Sequence, residues 1–263
     1  MVDPKIKKTL EKALLEAGSI LKTAIDQPKK ISFKSPISLV TETDKKAEAV
    51  VIEIIKTAFP THSILAEESN PQGKTPNKWI IDPIDGTTNF AHGLPIACVS
   101  IAYEENGIIQ VGGVWNPFLG EWFWAERGKG ASLNGKKISV TKAKSLKESL
   151  VATGFPYDRI KFGKYYIHIM ENVLYRTQDV RRLGSAAIDL CYVACGRFDG
   201  YWEFRLNPWD QAAGVLIVEE AGGKVTNFHG KPVDIYEGET LATNGKIHKE
   251  LLEVICESAL TII

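Results

Sequence analysis

Trp79-Ile-Ile-Asp82-Pro83-Ile84-Asp85-Gly86-Thr87-Thr88-Asn89-Phe90 is the stretch around which the chain is organised. Trp79 to Ile81 is a short apolar run of the kind a buried strand presents. It runs straight into two aspartates three residues apart, a glycine and a pair of hydroxyls. Oxygen-rich groups on a tight backbone turn suit hard cations and phosphates.

Working outward, the spacing predicts a helix from Asp3-Pro4, with Ile6, Leu10, Ala13, Leu14, Ala17 and Leu21 on one face, ending before Gln27-Pro28. Ile31 to Val40 reads as extended. A second helix follows Thr41-Glu42-Thr43-Asp44 and stops at Pro60, and a short strand at His62–Ala66 leads into Glu67-Glu68-Ser69. Asn70 to Lys78 is expected as a loop. Strands at Ile96–Tyr103, Ile108–Trp115 and Glu121–Ala125 form an antiparallel meander, with a turn region at Gly128–Gly135. Beyond a boundary near Ser145 the elements alternate. Strands are expected at Ser149–Thr153, Asp179–Arg182, Gly200–Phe204 and Thr240–Thr243. Helices are expected at Lys161–Tyr175, Ser185–Cys195, from Asn207 to Gly222, and from Lys246. The fold class is therefore α/β (α+β), a sheet covered by helices, in two halves of one compact unit: 1–145 with the acidic turn, and 146–263 completing the site.

The 263 residues, 44% of them hydrophobic, suffice to bury a substantial core. Lys and Arg number 32 against 32 Asp and Glu, so no excess of positive charge argues for nucleic acid. Cys98, Cys191, Cys195 and Cys256 sit in apolar surroundings without zinc-site spacing, as buried free thiols would. The polar N-terminus has no apolar signal core and no apolar run is long enough to span a membrane, so a soluble cytoplasmic protein is the expectation.

Four acids stand at the ends of elements: Glu67, Asp82, Asp85 and Asp210. Singly, each has an ordinary explanation: a solvated loop acid, a turn residue, or an acid favouring a helix N-terminus. Together they match what a two-metal phosphatase needs, a bridging carboxylate with further carboxylates on either side. Gly86 allows close backbone approach, and amides at a helix start beyond it would favour phosphate. Asp44 opens an amphipathic helix, so capping alone accounts for it.

Four motifs, in order, carry a resemblance. Leu39-Val40-Thr41-Glu42-Thr43-Asp44, Ala66-Glu67-Glu68-Ser69, Asp82-Pro-Ile-Asp85-Gly-Thr87-Thr-Asn-Phe and Trp209-Asp210-Gln-Ala-Ala-Gly214, the last followed by Glu220-Ala-Gly-Gly223, resemble the inositol monophosphatase family. Ser38 departs from the family, where many relatives carry Asp, and the family's nearby lysine is best matched by Lys34. The resemblance implies a layered αβαβα sandwich and a Mg²⁺-dependent phosphomonoesterase that hydrolyses myo-inositol monophosphate. It implies that Glu67, Asp82 and the Ile84 carbonyl bind one Mg²⁺, and that Asp82, Asp85 and Asp210 bind a second. A third ion would sit near Glu67. Glu67, and Thr87 paired with Asp44, would assist the attacking water. The Gly86 and Thr87 amides would hold phosphate, while Gly184, Ser185, Ala186 and Glu203 would contact the alcohol. A homodimer is also implied, and lithium sensitivity is raised as a question for assay. Counting charge supports more than one ion. The carboxylates and a phosphate dianion total about −6, so two Mg²⁺ leave about −2 and three bring the site near zero.

Alternative readings share these motifs: fructose-1,6-bisphosphatase or nucleotide 3′-phosphatase activity, or a non-enzymatic role as a partner of the RNA machinery. For the last, the run containing Arg176, Arg181 and Arg182 is the candidate surface. Cys191-x5-Arg197 formally fits a thiolate phosphatase loop, but its residues read as a buried helix. Asp82-x-x-Asp85 is one residue too long for the Asp-x-Asp-Gly-Thr nucleophile motif.

Overall fold

The structure is a computed structural model that describes residues 2–27, 31–35 and 38–260, with side chains described for 2–27 and 40–258. Helix α1 (Pro4–Ala24) packs against α2 (Glu42–Ala58), with a two-stranded antiparallel ribbon, β1 (Ile31–Ser35) and β2 (Ser38–Thr41), between them in sequence. The side chains of Lys34 and Ser38 lie outside the described residues. Next come β3 (Ser63–Ala66), β4 (Asn77–Asp85), the short helix α3 (Thr87–Ala91), β5 (Cys98–Glu105), β6 (Ile108–Asn116), β7 (Glu121–Glu126), β8 (Gly130–Leu133) and β9 (Lys136–Lys137). They form a seven-stranded sheet in sequence order, antiparallel except for the β3–β4 pair. The remaining elements are β10 (Leu150–Thr153), α4 (Arg159–Leu174), β11 (Asp179–Arg181), α5 (Ala186–Ala194), β12 (Gly200–Glu203), α6 (Pro208–Glu220), β13 (Lys224–Thr226), β14 (Thr240–Thr243) and α7 (His248–Leu260). Their strands form a five-stranded mixed sheet in the order β11-β10-β12-β14-β13.

Strand alternation builds the layers. On β4, Ile81 joins Leu10, Leu14, Val51 and Ile55 of α1 and α2, while its neighbour Ile80 joins Leu190, Ala213 and Leu216 of α5 and α6. On β12, Tyr201 faces α5 and α6, and Trp202 faces Ile169 of α4 and Leu251 of α7. With a period of two, each sheet buries both faces. The result is α1/α2, sheet, α5/α6, sheet, α4/α7: an αβαβα sandwich. The middle helices are buried all round, as Gln211 to Val218 show, and therefore lack an amphipathic stripe.

Two expectations are corrected and one strand is added. The turn region at Gly128–Gly135 contains β8, because β7 offers it an edge and the Glu220 carboxylate of α6 accepts the Gly128 and Gly130 amides at 2.7 and 2.8 Å. The loop expected to Lys78 ends earlier, since β4 starts at Asn77. The three-residue β13, next to a glycine pair, was too short for a periodic signal and forms because β14 supplies its partner.

Candidate active site

Strand β4 does not stop at the apolar run. It continues through Pro83 to Asp85, and its register against β5 shifts between Asp82 and Asp85. Pro83 has no amide to give the ladder, so a bulge here is the expected response. Asp82 and Asp85 keep their partners Ser100 and Cys98 on β5 while the chain between them bulges, and the Ile84 amide donates back to Asp82 Oδ1 at 3.0 Å. Gly86 then takes φ +92°, and a Cβ there would sit 2.8 Å from the Ile96 carbonyl oxygen. A side chain is thus excluded on two counts. Helix α3 begins at Thr87.

A cleft of about 420 Å³ opens above this bulge. Its lining includes Glu67, Asp82, Ile84, Asp85, Gly86 and Thr87 from the first sheet's edge. Gly184, Ser185 and Ala186 at the start of α5, Glu203 at the end of β12 and Asp210 in the first turn of α6 complete it. Every residue singled out from the sequence lines the cleft except Asp44, which lies behind Thr87. Asp44 makes contacts of both kinds. Its Oδ2 accepts the Thr41 amide at 2.8 Å in a capping box, while its Oδ1 accepts the Thr87 hydroxyl at 3.1 Å. That hydroxyl also lies 3.0 Å from the Ile84 carbonyl oxygen.

Electrostatics single out the carboxylates. Burial, then the charges of Glu67, Asp85 and Asp210, push the Asp82 carboxyl well above its ordinary range, and it shares a hydrogen bond with Glu67. Asp210 is raised in the same way by burial and by Asp85 and Glu67, although it caps α6 by accepting the Asn207 amide at 2.6 Å. Asp85 is raised by burial to about 6. The Ser185 hydroxyl and the Ala187 amide, both 2.6 Å from Oδ2, limit the rise. Glu203 is raised by burial to about 7 while accepting the Tyr201 hydroxyl at 2.5 Å. A Cβ on Gly154 would overlap the Glu203 carboxylate, so that glycine makes room for it.

The donors facing the cleft are carboxylates, a backbone carbonyl and hydroxyls, with no histidine or thiol among its lining residues. This is the donor chemistry of a hard cation such as Mg²⁺, and the mutual repulsion of the acids is what such an ion relieves. Among the described residues no three acidic, histidine or cysteine side chains already meet at metal-ligating geometry. The donors fit the ion by chemistry and by shared location.

Among the lining residues that sequence reasoning did not assign to the site are Tyr157, Arg159, Arg182 and Arg205. Tyr157 is raised to about 12 by burial and by Glu67, Asp210, Asp82 and Asp85. Arg182 belonged to the candidate nucleic-acid run, yet it stands over the Phe155 ring and faces the cleft. Arg205 is a non-glycine residue at φ +56°, tied to Asp158 at 2.5 Å. None sits in a motif with characteristic spacing. The thiolate loop is excluded by geometry. Cys191 is fully buried in α5, where burial raises its thiol, and Arg197 is paired with Glu121 at 2.5 Å.

Comparison with known proteins agrees with this arrangement. The model of the inositol monophosphatase family matches residues 4–262. The chain is 49% identical over 246 residues to an inositol-1-monophosphatase of Synechocystis sp., covering 92% of this chain and 86% of that protein. It is 40% identical over 248 residues to the Nus factor SuhB of Pasteurella multocida, covering 93% of each. The structure of an inositol monophosphatase from Anabaena superposes with a TM-score of 0.87 at 45% identity, over 95% of this chain and 94% of that one. Fold, cleft and sequence agree: the chain is a phosphatase belonging to the inositol monophosphatase family.

Proposed function

We propose that the enzyme hydrolyses myo-inositol monophosphate to inositol and phosphate in a Mg²⁺-dependent reaction. The observation that carries this is the convergence of Glu67, Asp82, Asp85 and Asp210 on one cleft, where burial and mutual repulsion hold Asp82 and Asp210 far above the ordinary carboxylate range. Glu67, Asp82 and the Ile84 carbonyl would hold one ion and Asp82, Asp85 and Asp210 a second; a third, near Glu67, would bind weakly and chiefly with substrate. Bound Mg²⁺ supplies Lewis acidity at the phosphate and a more acidic water.

The chain's own groups do the rest. Glu67 takes a proton from the attacking water as the water oxygen bonds to phosphorus and the ester P–O bond breaks, and the departing inositol oxygen takes a proton from solvent. Thr87, its hydroxyl directed by Asp44 and the Ile84 carbonyl, holds that water's orientation by a hydrogen bond. The Gly86 and Thr87 amides bind phosphate oxygens. Gly184, Ser185 and Ala186 flank the alcohol, and Glu203 accepts hydrogen bonds from its hydroxyls. Phosphate release from inositol 1-phosphate, fructose 1,6-bisphosphate and 3′-phosphoadenosine 5′-phosphate, with and without Mg²⁺, tests the proposal. Mg²⁺-dependent release, fastest from inositol 1-phosphate, is expected. No such release from any of them sinks the activity, and preference for another substrate reassigns it.

The setting proposed is a cytoplasmic homodimer. Among the described residues no helix is long and apolar enough to cross a membrane. Ile160, Ile167 and Leu174 are exposed at seven-residue intervals along α4, which supports an association face. Sedimentation of the purified chain tests it; a monomer at assay concentrations counts against it. The Nus-factor name of the Pasteurella relative supports a second reading, a partner role without catalysis. An Asp82→Asn chain that loses phosphatase activity but still complements a deletion favours that reading.

A further inference from the structure

Two buried carboxylates stand one turn apart on α2. Asp44 is fully buried and Glu48 is 3% exposed. Residues four apart share one face of a helix, and here that face looks toward the cleft. Asp44 holds the Thr87 hydroxyl. Glu48 Oε2 accepts the Glu68 amide at 2.7 Å. The two contacts reach two different segments of the site, one to the Gly86-Thr87 turn and one to the loop that carries Glu67.

The Glu48 contact falls where the backbone needs it. At Glu67 the chain is leaving β3, and the Glu67 amide makes the last bond of the sheet edge, to the Ile81 carbonyl at 3.2 Å. The next amide, on Glu68, has left the ladder. A backbone N–H that leaves a sheet in a partly buried loop needs an acceptor, and the direction of that acceptor sets how the chain turns. A carboxyl oxygen at 2.7 Å is a short, well-placed acceptor for that amide. The peptide on one side of the Glu67 side chain is thus fixed by β4 and the peptide on the other side by α2.

We propose that Glu48 is a positioning residue for the Glu67 carboxylate. Through Asp44 and Glu48, one helix sets the separation between the two groups that handle the attacking water. This rests on the reading of Glu67 as a metal ligand and proton acceptor. Glu48 itself stays behind the cleft, outside its lining residues. Its loss therefore acts on the aim of Glu67, and so on cation affinity, more than on turnover once the cation is bound.

The test compares Glu48→Ala, Glu48→Gln and Glu67→Gln in the full chain. Calorimetric titration with Mg²⁺ alone, the Mg²⁺ dependence of phosphate release, and thermal melts are read together. Glu48→Ala should weaken Mg²⁺ binding about 10-fold or more, in the range found when a group behind a metal ligand is removed. Its kcat at saturating Mg²⁺ should fall as well, but by a smaller factor than its Mg²⁺ affinity, because Glu67 also takes the proton of the attacking water. Glu48→Gln keeps an oxygen for the Glu68 amide and should recover most of the affinity. Unchanged Mg²⁺ affinity in Glu48→Ala overturns the proposal. So does a loss that Glu48→Gln fails to rescue, or one that falls on kcat alone. If Glu67→Gln binds Mg²⁺ as the parent does, the reading of Glu67 is wrong, and the role assigned to Glu48 falls with it.

Discussion

Asp189 shows what a single carboxyl costs when it is buried without a partner. It lies on α5, one turn beyond Ser185, with 1% exposure and, among the described residues, no hydrogen-bond partner for either oxygen. Burial, reinforced by Glu203 and Asp85, pushes its carboxyl well above the ordinary range. Its protonated form is the one the fold tolerates. With the folded value above the unfolded one, stability is fully present below the unfolded value and is lost as pH rises through the folded value. Asp189→Asn removes the ionisable group at nearly constant shape. The variant should match the parent near pH 4 and exceed it at pH 8, by on the order of 1 kcal/mol in denaturant titrations. Equal stability of the two chains at pH 8 would show that Asp189 has found a compensating partner.

At the scale of elements, the contact between α5 and α6 fixes the site, because Ser185 and Ala186 begin one helix and Asp210 begins the other. The two helices meet closely at Gly214. A Cβ added there would lie 2.6 Å from Leu190 Cδ1 and 2.8 Å from Leu190 Cβ. The Leu190 Cβ cannot swing away, so α5 itself must move. Alanine regains about 1 kcal/mol of helix propensity at an interior position. Overpacking a filled core costs about 1–3 kcal/mol, and the rigid obstacle places this site at the upper end. Gly214→Ala should therefore destabilise by about 1–2 kcal/mol in urea titrations. It should also lower kcat/KM, since Asp210 shifts relative to Asp85. A variant as stable and active as the parent would mean that the helix interface yields more than this packing implies. Gly112 performs the same service on the other side of α6, where a Cβ would lie 2.9 Å from Ala213 Cα.

For the whole molecule, the acidic cleft makes stability depend jointly on metal and pH. Asp82 and Asp210 are raised well above the usual value and Asp85 to about 6, so a metal-free chain loses stability as pH rises through those values. His248 works in the opposite direction. Buried between Thr226 and Thr243, it is lowered to about 4, and its contribution is lost as pH falls from 6.5 toward 4. Between pH 6.5 and 8 the raised carboxylates of the cleft, Glu203 at about 7 among them, ionise against the fold. In that window the melting temperature in EDTA should fall with rising pH, while in Mg²⁺ it should hold or rise. Mg²⁺ at one hundred times its Kd should add about 2.7 kcal/mol at pH 8. Identical melts with EDTA and Mg²⁺ at pH 8 would count against a cation site in the cleft.

The sequence by itself determined the helices α1, α2, α5 and α6, the meander and the acidic turn, because each rests on local periodicity or on turn chemistry within a few residues. It also marked Glu67, Asp82, Asp85 and Asp210 as acids at element ends, which is where strands and helices of a layered fold open onto a cleft. Only the tertiary structure decided that Asp44 caps its helix and holds Thr87 together, since one carboxylate has two oxygens and the second partner is 43 residues away. Strand β8 likewise depends on the edge of β7 and on Glu220, and β13 on β14. The cleft positions of Arg159, Arg182 and Arg205, the orphaned carboxyl of Asp189 and the grip of Glu48 on Glu68 belong to the same class. Side chains that meet from distant segments leave no period in the sequence, because contact across layers is set by how the sheets and helices stack.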